Sequence, residues 1–237
     1  MQPLPAVASL DSADIRIDDS PRLTDNVYQG LRKAIIDGQL PAGTRLSVPA
    51  LARRFNVSRS PIREAVARLT TDRLAVEQPR RGAVVTEVSL HDLVEVYQAR
   101  EALEGAAARL AASHCDDVLR AGLEELMRQH RGAVDRGDDA ARAQLDSAFH
   151  RAIADASRNK LIRDWHSQLQ ARVQIAMRTT AISAGVAVAL ADHEKIHQAI
   201  TSGDPVTAEA TARAHITRLR HVLDQAVQLA ATDQYAN

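Results

Sequence analysis

Residues 57–69, VSRSPIREAVARL, place Ser58 as a helix N-cap and put Arg59 and Arg63 four residues apart on one helical face. Ala65, Val66 and Leu69 fall on another face with the spacing of a core stripe. A short helix that is buried on one side and carries two arginines at its exposed start meets the needs of a major-groove reader. Arginine bonds guanine O6 and N7 as a pair, and a helix N-terminus attracts phosphate.

The flanking segments fit that reading. Leu23–Asp37 has helical periodicity, with Thr24 as its cap and Gly38 as its end. A turn at Pro41-Ala42-Gly43 precedes a second helix, Val48–Phe55, and Asn56-Val57 makes the tight turn into a third, Ser58–Asp72. Two strands, Ala75–Gln78 and Ala83–Glu87, flank Pro79-Arg80-Arg81-Gly82. Three helices and then a hairpin with a basic tip form the winged helix-turn-helix plan, with the hairpin as a β-hairpin wing. The third helix is expected in the major groove, with Arg80 and Arg81 near phosphate or the adjacent minor groove. Two plainer readings compete. Arg59, Arg63 and Arg68 can be a solvated charged face, and Arg63 can pair with Glu64 inside the domain.

Charge separates this module from the rest. The chain of 237 residues is formally neutral, yet residues 22–88 hold 12 Lys and Arg against 6 Asp and Glu. The preceding 21 residues carry one Arg against four Asp, and residues 89–237 carry 17 basic against 20 acidic side chains. A basic unit joined to a mildly acidic one suits a DNA-binding domain on a regulatory domain better than a uniform enzyme. Cys115 is the one cysteine, which excludes an intrachain disulfide and agrees with a reducing cytoplasm. No secretory leader is legible in residues 1–20. The longest apolar run, near Ala181–Ala191, is broken by Ser183 and Gly185 and is too short to span a membrane.

Residues 1–21 read as a disordered tail, residues 22–88 as the winged domain, residues 89–232 as a helical domain, and residues 233–237 as a second tail. Beyond Ser89, itself a cap, helices are expected to about Ser113 and then at 116–136, 138–156, 159–181, 187–202 and 204–231. The expected fold is mostly α: a winged helix-turn-helix followed by an all-α antiparallel bundle of six helices.

GQLPAGTRL at 38–46, LARRFNVSRSPIREAVARL at 51–69 and PRRGAVV at 79–85 resemble the DNA-binding domain of the GntR family of bacterial transcription regulators. The resemblance implies that Arg59 and Arg63 contact operator DNA, that Ser58 and Ser60 hold phosphates, and that Gly82 lets the wing approach the backbone. Many members carry an acidic residue and then an Arg early in the second helix, where this chain has Val48 and Pro49. That contact is lost, or taken over by Arg45, Arg53 or Arg54.

In the helical segment, Asp146 and His150 lie four apart within DSAFHRAIADAS and face one side of one helix. His193 and His215 each lie on an apolar-patterned helix, so one Asp and three His from three helices are available to one metal. A surface pair is the plainer reading of Asp146 and His150, and His193 with His197 is a rival ligand pair. Residues 91–230 resemble the FCD effector domain, on Arg100, Glu104, Asp146, Phe149, His150, Asn159, His193, Ala199-Ile200, Gly203-Asp204, Ala208, Ala212 and His215. Six helices match the VanR-type subgroup within the FadR/FCD subfamily. The resemblance implies Asp146, His150, His193 and His215 as metal ligands, with His197 extra. Three imidazoles and a carboxylate suit a divalent transition metal: Zn, Ni, Mn or Fe.

Open coordination positions would take an effector carboxylate, with Arg100 as a second anchor; the alternative for Arg100 is a structural pair with Glu104. The whole reads as a homodimeric transcription regulator of the repressor kind, not an enzyme. Its double-stranded operator binding would answer to a small organic acid. A metal-dependent hydrolase or lyase, and an architectural DNA-binding dimer, are the alternatives.

Overall fold

The computed structural model describes residues 23–179 and 186–235. The chain divides into two compact units, Met1–Val88 with Gln174–Thr180 and Ser89–Val173 with Ala181–Asn237.

In the first unit, α1 (Leu23–Ile36) buries Val27, Leu31, Ala34 and Ile35, the face its 3.6-residue period defines. Gly38, at φ 77°, turns the chain out of the helix. Thr24 lies inside α1 instead of capping it, and its hydroxyl bonds Glu64 at 3.4 Å. The second helix, α2 (Val48–Phe55), ends in left-handed Asn56, whose short polar side chain tolerates φ 52°. The third, α3 (Arg59–Thr71), starts after Ser58, with Pro61 in its first turn, where no intrahelical N–H bond is lost. Its inner face is Ile62, Ala65, Val66 and Leu69.

Strands β1 (Ala75–Gln78) and β2 (Gly82–Val85) pair antiparallel from Ala75↔Val85 to Gln78↔Gly82. The second strand thus begins at Gly82 and stops before Thr86, because cross-strand partners, and not local preference, set its ends. Arg80 and Gly82 close the turn at positive φ, 64° and 72°. Residues 43–46 lie along β2 as an extra bridging segment. Leu46 N bonds Ala83 O at 2.9 Å, and Val85 N bonds Thr44 O at 2.8 Å. That pairing points Thr44 and Leu46 inward and leaves Arg45 exposed.

Beyond the hairpin the chain forms α4 (Leu90–Ser113), α5 (Asp117–Asp135), α6 (Asp139–Ala156), α7 (Lys160–Thr179), α8 (Val186–Thr201) and α9 (Pro205–Tyr235), which make up the second unit except for the end of α7 from Gln174, assigned to the first. Ser89 and Asp92 form a reciprocal capping box on α4, while Asp116 and Asp138 cap α5 and α6 through Leu119 N and Ala141 N. The last helix runs to Tyr235, past the expected stop at 231, so residues 233–235 are helical and not tail. The tail expected at 1–21 lies outside the described residues. The bundle core is built on small residues of α4, Ala107, Ala108, Ala111 and Ala112, against Leu123, Met127, Phe149, Ile153, Ile196 and Ile200. Alanine lets helix axes approach, and α4 packs most extensively on α9.

A methyl group at Gly105 would fall 2.6 Å from Arg213 Cγ on α9. Gly105→Ala is therefore expected to destabilise the bundle by about 1–3 kcal/mol through overpacking. Urea unfolding checks this, and an unchanged or raised midpoint would show that the Arg213 stem yields freely.

Candidate nucleic-acid interface and candidate metal centre

On α3 the stripe of Ala65, Val66 and Leu69 is buried, and Arg59, Ser60 and Arg63 are exposed on the opposite side. Ser58 sits at the N-cap in extended geometry, and its side chain makes no capping bond. Its hydroxyl and the first-turn N–H groups therefore remain available to an anion. Glu64 accepts from Ser60 Oγ at 3.2 Å and from Thr24, while neither Arg59 nor Arg63 forms an ion pair with a described residue. Arg68 behaves differently. It bonds Asp25 and lies 4.1 Å over the Tyr28 ring, so it ties α3 to α1 and leaves the charged face. A groove of about 310 Å³ lies between α3 and the wing, and Arg45, Arg63, Arg81, Ser47, Pro49 and Gly82 are among its walls. Arg53, Arg59 and Arg80 are exposed outside that groove.

In the helical unit, His150 on α6, His193 on α8 and His215 on α9 are all buried. Each offers a ring nitrogen, and the three nitrogens lie within 4.8 Å of one another, a group able to hold a metal ion. His150 Nε2 and His193 Nε2 are 3.2 Å apart. Asp146 stands at the partly exposed edge of this group, with Oδ1 3.6 Å from His193 Nε2 and its side chain 34% exposed. His197 lies outside the three-imidazole group.

The nitrogens fit a metal chemically. His215 Nε2, the nitrogen turned away from Asp192, is buried with no hydrogen-bond partner, which is costly unless something else occupies it. Burial, aided by the neighbouring His150 and His215, holds His193 well below its usual value, and burial lowers His215 despite Asp192. Neutral imidazole is the ligating form.

Arg100 is 2% exposed, and its Nε donates to Glu104 Oε1 at 2.5 Å. Burial works to raise Glu104, but Arg100, the hydrogen-bonded His150 and His166 together outweigh it and hold the carboxyl well below its usual range. The structural pair considered for these two residues therefore exists. The other oxygen of Glu104, Oε2, lies 2.7 Å from His150 Nδ1.

Three partners of this site were not legible. Asp192 lies 3.2 Å from His215 Nδ1 and accepts from Arg218. His130 stands 5.4 Å from His193, ring to ring. His166 is 2% exposed, with Nε2 3.9 Å from Glu104 Oε1. The histidines among apolar residues were the available signal, but nothing local distinguishes a histidine that supports a site from one that fills a core. A void of about 10 Å³ beside Glu104 and His150 has room for about one water.

Burial pushes His166 down to about 4, so at neutral pH it meets Glu104 as a neutral ring. The unfolded chain takes a proton near pH 6.5 that the folded chain refuses until about 4. Stability is thus complete above pH 6.5 and falls with pH through that window, by about 3 kcal/mol for this group. Denaturant midpoints of metal-free protein between pH 7 and roughly 4 test this, and a flat profile contradicts it.

A winged helix-turn-helix unit with an unpaired arginine face, in one chain with a helical domain, is the make-up of a DNA-binding transcription regulator. Residues 23–85 match the bacterial regulatory proteins, gntR family, and residues 95–218 match the FCD domain. The chain belongs to the GntR family and carries an FCD domain. It is 26% identical over 219 residues to YdhC of Bacillus subtilis, an HTH-type transcriptional regulator, covering 90% of this chain and 97% of that one. The HTH-type transcriptional repressor RspR of Escherichia coli K12 is 30% identical over 162 residues, covering 68% and 71%. Among solved structures, E. coli McbR/YncC matches in fold with a TM-score of 0.71 at 24% identity, over 86% of this chain and 98% of that one. A GntR regulator from Rhodococcus sp. RHA1 matches at 0.68 and 25%, over the same shares. These matches do not favour the hydrolase or the purely architectural alternative. Among the described residues, no helix is long and apolar enough to cross a membrane.

Proposed function

We propose that this regulator is a cytoplasmic homodimeric repressor whose operator affinity is set by a small organic acid bound beside a metal in the helical domain. Similarity to a named repressor supports the sign of regulation. In this reading Arg59 and Arg63 read bases, Ser58 and Ser60 hold phosphates, and Arg45, Arg53, Arg80, Arg81 and Gly82 follow the backbone. Two heads on a dimer would meet half-sites about one helical turn apart.

Asp146, His150, His193 and His215 would hold a divalent transition metal (Zn, Ni, Mn or Fe), and Arg100 would be the effector's second anchor. The observation that carries the reading is the convergence of three buried imidazole nitrogens within 4.8 Å, beside a carboxylate. When bound, the metal supplies a positive centre that an anionic ligand can complete. The void beside His150 and Glu104, about 10 Å³, is too small for an organic acid. Arg100 is held by Glu104, so an acid reaching it competes for that guanidinium and must move α4 or its neighbours. A ligand shifts the DNA-binding equilibrium only to the extent that it binds one arrangement better, and displacement inside a packed bundle supplies such a difference.

Metal analysis of the purified chain, with operator gel shifts over a panel of organic acids, tests the proposal. About one metal per wild-type chain is expected, with loss of that metal in His150→Ala and His215→Ala. Undiminished metal in both variants refutes the site, and DNA affinity indifferent to every acid refutes the effector.

A further inference from the structure

Two of the three converging imidazoles are backed by the same device. His150 Nδ1 lies 2.7 Å from Glu104 Oε2, and Glu104 Oε1 takes the Arg100 Nε–H at 2.5 Å. On the other side, His215 Nδ1 lies 3.2 Å from Asp192 Oδ2. Asp192 in turn takes both Arg218 amino groups, at 3.0 Å on Oδ1 and 2.8 Å on Oδ2. Glu104 is 5% and Asp192 4% exposed. His193 has no such backing: its Nδ1 is buried without a partner, and the ring is stacked on Phe149 at 4.5 Å.

We propose that Arg100–Glu104–His150 and Arg218–Asp192–His215 are paired positioning chains that preset two imidazoles for a divalent metal. His193 is positioned by packing alone. The inference rests on the reading of these histidines as ligands. Its physical basis is hydrogen-bond arithmetic. An ionised carboxylate only accepts, so the ring nitrogen facing it must carry the proton, and Nε2 keeps its lone pair. The same contact fixes the ring's orientation and makes Nε2 more basic.

Each arginine neutralises its own carboxylate, so the chains orient the rings without adding net negative charge. Asp146 is then the ligand that brings negative charge to the ion. A divalent ion with Asp146 and three neutral imidazoles retains one positive charge, which a monoanionic ligand group such as a carboxylate would balance.

Asparagine and glutamine are the informative substitutions. A carboxylate offers an acceptor on both oxygens, to the arginine and to the imidazole together. An amide offers one acceptor and one donor, so it turns an N–H toward one of the two donors. In the full-length chain, Zn²⁺ affinity measured by chelator competition is expected to fall 10–100-fold in Asp192→Asn and in Glu104→Gln. Glu209→Gln, which breaks the exposed Arg109–Glu209 pair, leaves it unchanged.

A second readout uses unsubstituted, metal-free protein: ¹H–¹⁵N long-range spectra of the imidazoles should show His150 and His215 protonated at Nδ1. Protonation at Nε2 in both overturns the proposal, as does full Zn²⁺ affinity in both amide variants. If the wild-type chain binds no Zn²⁺, Ni²⁺, Mn²⁺ or Fe²⁺, the ligand reading itself falls, and the proposal with it.

Discussion

Replacing Arg59 and Arg63 together with alanine is expected to cost about 2–6 kcal/mol of operator affinity, at least roughly thirtyfold in Kd, on the basis of about 1–3 kcal/mol per bidentate arginine–guanine pair. Both side chains are exposed and unpaired among the described residues, while the face behind them is buried. Truncation therefore leaves the domain folded and removes only what it offers to DNA. The preference between operator and scrambled duplex should collapse along with the affinity. Arg80→Ala with Arg81→Ala provides the contrast. Loss of two phosphate contacts weakens binding to every sequence alike and reduces the steepness of the log–log salt dependence by about 1.8. Titrations at several salt concentrations separate the two behaviours. If the Arg59/Arg63 variant keeps its operator preference, α3 is not the base reader.

The second large effect is expected in the helical unit. Arg100→Met leaves Glu104 ionisable, 5% exposed and stripped of its cation. Removing one partner of a buried ion pair typically costs about 3–5 kcal/mol, because the remaining charge stays desolvated. For a domain of this size that corresponds to a fall in Tm of roughly 6–20 °C at about 2–4 °C per kcal/mol. Arg218→Met should cost less, since the Arg218 side chain is 41% exposed and its charge partly screened, and Lys195 Nζ stays 3.9 Å from Asp192 Oδ1. Melting of the metal-free variants measures both. An Arg100→Met protein that melts with the wild type would mean that Glu104 does not need the guanidinium, leaving Arg100 free for a ligand.

Legibility differed between the two units for reasons visible at particular residues. The bounds of α2, Val48–Phe55, and of β1, Ala75–Gln78, follow from local chemistry: a helix that stops at Asn56, and a strand that starts after Leu74. The start of β2 at Gly82 and the bridging of residues 43–46 depend on partners across the sheet, and the second was missed. Arg68 carries the same charge as Arg63 on the same helix, yet it is committed to Asp25 and Tyr28 of α1. Position along one helix does not reveal which exposed-looking arginine has a partner on another.

The helical domain repeats that division. Local spacing was enough to put Asp146 and His150 on one face of α6, because an i,i+4 relation belongs to one helix, whereas His193 and His215 were set apart from His197 only by the family resemblance. The caps at Ser89, Asp116 and Asp138 are equally local. Only the tertiary structure decided that Arg100 backs Glu104, that Glu104 and Asp192 face the far nitrogens of two histidines, and that His166 and His130 stand behind the site. The physical reason is one of range. Which face of a helix a side chain shares is fixed by its own backbone, whereas the proton on an imidazole and the charge on a buried carboxylate are fixed by what other helices bring within about 3 Å.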